Sequence, residues 1–241
     1  MAVNPIKKLS SLSVFFPCYN EEKNVPIVVN QALQILPKFA QKLEIIIVDD
    51  GSTDHTRKVA DQLSAQDERV RVISHDHNLG YGASLRTGFN ESRYDWIFYT
   101  DGDSQFDLAE LEKLVKRSTK NQVILGYRAN RAEGWPRQLN THLFKLYIDL
   151  LFRLHVKDID CAFKLIKTDL IKSLDLFSAG AFTSAEYLYK LKKQGIKFVQ
   201  VPVTHYPRQH GQPTGARLDV IIKAVRDAMK LYLKIKFNWN L

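Results

Sequence analysis

With 241 residues, 45% of them hydrophobic and 25% charged, the chain can bury a substantial core, which excludes a disordered or fibrous protein. A formal net charge of +9 favours anionic partners: nucleotide phosphates, nucleic acid or an acidic membrane surface. Cys18 and Cys161 make no metal-binding or redox spacing, which points to a reducing compartment.

The opening residues, MAVNPIKKLS, are too short and polar for a secretory signal. No segment offers the ~18 uninterrupted apolar residues of a membrane span, so a soluble or peripheral cytoplasmic protein is expected. The first predicted strand is 12–16 (LSVFF). A helix over 25–36 follows, with Val25, Val28, Val29, Ala32, Leu33 and Leu36 at helical spacing. A second strand at 43–48 (LEIIIV) leads to a helix at 55–65 with Asp54 as its N-cap. Strand 70–73, helix 82–93 and strand 95–99 continue the alternation. Strands apolar almost throughout, alternating with helices, imply the α/β class and a parallel sheet covered on both faces. Beyond residue 105 the pattern loosens. A helix at 107–119, a short strand at 122–126 and a polar loop precede a long amphipathic helix at about 137–155. A mixed segment, a strand at 198–203 (FVQVPV) and a basic helix at about 216–236 close the chain. No repeat or linker divides it, so one body is expected.

Three polar clusters fall at the carboxyl ends of predicted strands: PCYNEE from Pro17, DDGSTD from Asp49, and TDGDSQFD from Thr100. Ligands of open α/β sheets sit beyond such ends, and three acidic clusters in successive units point to one shared cleft. The familiar nucleotide signatures do not apply. There is no G-x-x-x-x-G-K-[ST], and Gly80, Gly82 and Gly88 lack the dinucleotide spacing. A calcium-hand loop fails because its sixth position, Phe106, is not glycine. No aromatic stacking platform or nucleic-acid motif is present. What remains is Asp101-x-Asp103 with Gln105 two residues on. Hard oxygen donors of this kind suit Mg2+ or Mn2+ shared with substrate phosphates. His75-x-His77 has no third ligand nearby and reads as loop hydrogen bonding, and Cys18 reads as a packing residue.

In order and spacing, PCYNEE, VDDGSTD, NLGYGASLRTGF and TDGDSQFD resemble the inverting nucleotide-sugar glycosyltransferases of family 2. GYR at 126–128, KDIDCAFKL at 157–165 and VPVTHYPRQHGQPTG at 201–215 narrow the resemblance to polyprenol-phosphate (dolichol-phosphate) sugar synthases. It implies a GT-A fold, a Rossmann-like, mostly parallel sheet flanked by helices. The catalytic domain would span 1–215, with a nucleotide half at about 11–105 and an acceptor half at 106–215, and 216–241 would be a basic amphipathic C-terminal helix.

By the same resemblance, Pro17, Tyr19, Glu21, Val48 and Asp50 match base- and ribose-binding positions. Asp101, Gly102 and Asp103 match the diphosphate and metal segment, with Gln105 as a further metal ligand. Arg128 and Arg208 match residues that hold the nucleotide diphosphate or acceptor phosphate, as guanidinium forks do. Thr214 departs from the lysine of many mannosyl synthases. The implied reaction moves a sugar from a GDP- or UDP-sugar to polyprenyl phosphate with a divalent metal. The alternatives are a hydroxyl acceptor or a non-catalytic nucleotide-sugar binder. A phosphate acceptor arrives already charged, whereas a hydroxyl needs a base, for which Asp158, Asp160 and Glu186 are candidates and Asp158 the foremost. Asp158 has an equal structural reading as a cap of the preceding helix or a partner of Lys164. A lipid acceptor also requires a bilayer or a membrane partner. The C-terminal helix suits the headgroup plane and core packing equally, while the middle helix is expected to pack mainly on the core.

Overall fold

The structure, a computed structural model, describes residues 7–130, 135–211 and 218–237; side chains at 135–141, 218, 219 and 221 are not described. Among the described residues seven strands form one sheet: β1 (Leu9–Cys18), β2 (Ala40–Asp49), β3 (Val70–Ser74), β4 (Trp96–Thr100), β5 (Val123–Asn130), β6 (Phe163–Lys167) and β7 (Val199–Thr204). Their spatial order is β3-β2-β1-β4-β6-β5-β7. All neighbouring pairs are parallel except those made by β6, which runs against both β4 and β5. Helices α1 (Val25–Ile35), α2 (Thr56–Gln66), α3 (Tyr81–Glu91), α4 (Leu111–Ser118), α5 (Trp135–Phe152), α6 (Thr168–Lys172), α7 (Thr183–Lys193) and α8 (Leu218–Phe237) flank it. The expected α/β, GT-A architecture is the one observed.

Strand β1 starts three residues before the apolar run, and its buried serines find polar partners. Ser13 Oγ donates to Glu44 Oε1 at 2.6 Å, and Ser11 Oγ accepts from Asp95 N at 3.1 Å. Asp54 anchors α2 from one position further out than expected: its Oδ1 accepts from Thr56 N at 2.9 Å and Thr56 Oγ1 at 2.6 Å. The predicted helix 107–119 is split into a single 3-10 turn, Leu108–Glu110, and α4, with Asp107 Oδ1 accepting from Ala109 N. Helix α5 ends at Phe152, short of 155, because Arg153 and His155 adopt left-handed backbone (φ 49° and 53°).

Strand β6 and helix α7 replace much of the segment read as mixed. FKLIK carries two lysines, yet Lys164 is wholly buried; its ammonium donates to Ile159 O at 2.9 Å and Cys161 O at 2.6 Å. Two satisfied donors make that burial tolerable. Between the sheet and α3, Phe15 stacks on Tyr99 at 5.2 Å and meets Phe89 edge-on at 5.3 Å, under a Tyr99–Tyr187 hydroxyl pair at 2.5 Å. Such ring pairs add about 0.5–1.5 kcal/mol beyond area burial.

Candidate active site

Strand direction decides which loops meet. β1, β2, β4, β5 and β7 all run the same way, so their carboxyl ends share one edge of the sheet. Because β6 is reversed, its beginning reaches that edge: Phe163 pairs with Thr100, which puts the 158–162 loop beside the Asp101 loop. The three acidic clusters predicted to share a cleft lie on adjacent strands, β2-β1-β4.

The first two loops lock together. Asn20, in left-handed backbone at φ 57°, accepts through Oδ1 from Thr53 N at 2.8 Å, and Glu21 N donates to Thr56 Oγ1 at 2.7 Å. Asparagine tolerates that conformation better than most residues. Asp50 turns toward the 75–80 loop, with Oδ1 taking Leu79 N and Oδ2 taking Gly80 N, each at 2.9 Å. His75 contacts Asp50 at 2.7 Å and Thr87 Oγ1 at 2.9 Å, the loop hydrogen bonding expected of it. Val48 is wholly buried, Pro17 is buried, and Tyr19 is half-buried at the rim.

The Asp-x-Asp segment packs tightly over β1. A Cβ on Gly102 would stand 2.5 Å from Cys18 Sγ, so only glycine lets the two acids sit this close to the strand. After Asp103 the chain turns through Ser104 at φ 59°, and Asp103 Oδ1 accepts from Gln105 N at 3.1 Å. The Gln105 amide nitrogen donates to Tyr206 O at 2.8 Å. Cys18 lies beneath, its thiol pushed well up first by burial and then by the charges of Glu21, Asp49, Asp101 and Asp103; it is a packing residue, not a nucleophile.

Desolvation, then the neighbouring charge of Asp103, raises Asp101 to about 7, opposed by a hydrogen bond from Tyr81 Oη at 3.0 Å and by Arg128 and Lys164. Two crowded carboxylates, one of them reluctant to ionise, fit a divalent cation. Among the described residues no group of three His, Cys, Asp or Glu side chains is assembled for a metal. Asp101, Asp103 and Gln105 offer hard oxygen donors of the kind that Mg2+ or Mn2+ takes alongside phosphate oxygens and water.

Both arginines belong to this edge. Arg128, at the end of β5, forks onto Asp158: Nε to Oδ2 at 2.8 Å and Nη2 to Oδ1 at 2.9 Å, with the pair nearly buried. Asp158 therefore partners Arg128, not Lys164. Arg208, beyond β7, bridges Glu21 and Asp103 Oδ2 (3.3 Å for the latter) and donates through Nε to His210 O at 2.6 Å. Glu186 is not at the site: it is wholly buried, accepting from Phe177 N at 3.0 Å, Ser178 N at 2.9 Å and Lys190. Sequence reasoning missed Tyr81 as a partner of Asp101, and it offered Lys164 only as a partner of Asp158; a polar tip next to an apolar run was the available signal in each case. Thr214 lies outside the described residues.

The family model for glycosyl transferase family 2 matches residues 13–175. The chain is 28% identical over 238 residues to glycosyltransferase AglD of Haloferax volcanii, which covers 95% of this chain and 37% of the relative. It is 33% identical over 174 residues to a human dolichyl-phosphate beta-glucosyltransferase, covering 64% of this chain and 54% of the relative. The chain thus spans about a third to a half of the length of these curated relatives. In fold it resembles glucosyl-3-phosphoglycerate synthase of Mycobacterium tuberculosis, crystallised with Mn2+, UDP and glucosyl-3-phosphoglycerate. The TM-score is 0.72 and the identity 20%, over 93% of this chain and 79% of that one. With the family model spanning well over half of its length, the chain belongs to glycosyl transferase family 2.

Proposed function

We propose that the chain is a metal-dependent inverting glycosyltransferase that moves a sugar from a nucleotide-diphosphate donor to polyprenyl phosphate. The observation that carries the reading is the convergence of Asp101 and Asp103 with Arg128 and Arg208 at one sheet edge. A dolichyl-phosphate sugar transferase among the relatives, and Mn2+ with UDP in the structural neighbour's complex, support it. The catalytic domain is assigned to 1–215 and a basic C-terminal segment that contains α8 to 216–241, with the chain acting as a peripheral protein on the cytoplasmic face of a membrane.

Asp101 and Asp103, with Gln105 beside them, would hold Mg2+ or Mn2+, which when bound offsets charge on the departing diphosphate. Pro17, Tyr19, Glu21, Val48 and Asp50 are assigned to the nucleotide end, with Tyr19 at its rim and Pro17 and Val48 packed behind it. Gly102 lets the Asp-x-Asp segment lie against Cys18, which sets both acids beside the donor's phosphates. A phosphate oxygen of the acceptor forms a bond to the sugar C1 as the bond from C1 to the diphosphate oxygen breaks. The electron pair leaves with the nucleotide diphosphate, and the anomeric configuration inverts. Arg128 and Arg208 relieve the repulsion between two phosphate groups drawn together. Asp158, with both oxygens engaged by Arg128, holds that guanidinium in place rather than accepting a proton.

Incubation with a panel of GDP- and UDP-sugars, Mg2+ or Mn2+ and a short polyprenyl phosphate, read by product mass, tests the reading; free nucleotide diphosphate without lipid-linked sugar sinks it. Asp158→Asn separates the acceptor classes. A positioning role predicts roughly a 10- to 100-fold fall in kcat/KM with an unchanged pH profile. A fall of about 10⁴ with loss of the basic limb makes Asp158 a base and the acceptor a hydroxyl.

A further inference from the structure

Helices α5 and α8 pack side by side, each with one face in the core. Ile148 and Phe152 of α5, and Ala224, Ala228 and Leu231 of α8, are buried. The sides turned away are apolar too. On α5, Leu143, Leu146 and Leu150 follow one another at i, i+3, i+7 with 53%, 62% and 77% exposure. On α8, Ile222, Val225 and Met229 repeat that spacing at 59%, 38% and 39%. The two rows meet at a seam where Tyr147 Oη donates to Val225 O at 3.3 Å. Single exposed apolar residues are ordinary, but six such residues in two adjoining rows make a contiguous patch of a kind that marks an interaction surface.

Charge identifies the partner. Alongside the α8 apolar row runs a second exposed row at i, i+3, i+7, i+11: Lys223, Arg226, Lys230 and Lys234. An apolar stripe bordered by a basic stripe matches an interface whose outer layer is anionic and whose interior is hydrocarbon. We infer that the joined outer faces of α5 and α8 dock the chain on an anionic bilayer, the leucines entering the acyl boundary while the basic row lies against headgroups. No helix among the described residues is long and apolar enough to cross a membrane, so the docking is in-plane. The inference deepens the lipid-acceptor reading and rests on it for its purpose. Binding is measured without donor or acceptor, so either can fail alone.

The test is flotation of the full chain with phosphatidylcholine vesicles carrying 30% phosphatidylglycerol, against pure phosphatidylcholine, with sedimentation velocity of the lipid-free protein in parallel. Expected is binding to the anionic vesicles at least tenfold stronger than to neutral ones. Leu146→Ser with Leu150→Ser, and separately Arg226→Gln with Lys230→Gln, should each weaken it tenfold or more. All four positions are exposed, and an unchanged circular dichroism melt confirms folding. A lysine or arginine near an anionic surface changes partitioning roughly fivefold, which sets the expectation for the charge pair. Absence of anionic-vesicle binding in dilute salt overturns the inference. So does binding that ignores the leucine pair, which reduces the effect to charge alone. A dimer that dissociates in the leucine variant without vesicle binding also overturns it, assigning the face to a second copy of the chain.

Discussion

Asp101 offers a direct thermodynamic test of the acidic pair. In the unfolded chain it ionises near its ordinary value of 3.8, whereas in the fold desolvation and Asp103 raise it to about 7. The sign follows from linkage. A folded-state pKa above the unfolded one gives stability that is complete below about 4 and is lost as pH rises through about 7. The shift, a little over three units at about 1.36 kcal/mol each, corresponds to about 4 kcal/mol. The side chain keeps some contact with solvent, which lowers the expectation to roughly 2–4 kcal/mol. Asp101→Asn removes the charge while leaving an acceptor for Tyr81 Oη. Urea unfolding in chelator, followed by circular dichroism from pH 4 to 8, should show the wild type and variant together at pH 4. By pH 8 the variant should lead by that margin. Adding Mn2+ at pH 8 should raise the wild type and leave the variant nearly unmoved, since metal binding there displaces the cost of ionising Asp101. Parallel stability curves across the whole range would refute the reasoning, because the pair would then carry no stored repulsion.

Two further outcomes test how the acids and the arginine fork are held. Gly102→Ala should cost most of the activity by lifting the Asp-x-Asp segment off Cys18 Sγ; Cys18→Ala in the same chain should restore part of it, whereas Cys18→Ala alone stays active. Steady-state rates of the four proteins check this. Lys164→Met leaves two buried carbonyls without a donor, at about 1–3 kcal/mol each, and should lower the urea midpoint. It should also reduce kcat/KM at temperatures where the variant is still folded, because the 158–162 loop that carries Asp158 loses its anchor.

The legible part of this fold is the part dominated by apolar runs. LEIIIV and WIFYT are wholly or nearly wholly buried, so hydrophobicity alone marks them, and the acids that follow could be placed at the sheet's edge by direction of travel. Strand β6 was not legible because Lys164 and Lys167 break its apolar run. The burial of Lys164 depends on the carbonyls of Ile159 and Cys161, close by in sequence, whose orientation toward its ammonium no hydrophobic pattern reports. Helix α7 was hidden similarly: TSAEYLYKLKK reads as surface, yet Glu186 is buried beneath backbone amides of residues 177 and 178. Within the site, residue types were readable and pairings were not. Arg128 and Asp158 are 30 positions apart, and Arg208 reaches Glu21 across 187, distances over which no local pattern reports contact.

That last span has a consequence for how the protein is made. Ribosomal synthesis delivers Glu21 and Asp103 long before Arg208, and β7 is the last strand to join the sheet, beside β5. A nascent chain stopped short of residue 199 would present β5 as a bare border of the sheet, an invitation to wrong partners. It would also carry acids whose counter-charge has yet to emerge. The final docking step therefore covers β5 and balances the acidic rim in one event, so a truncated product should be sticky as well as inactive.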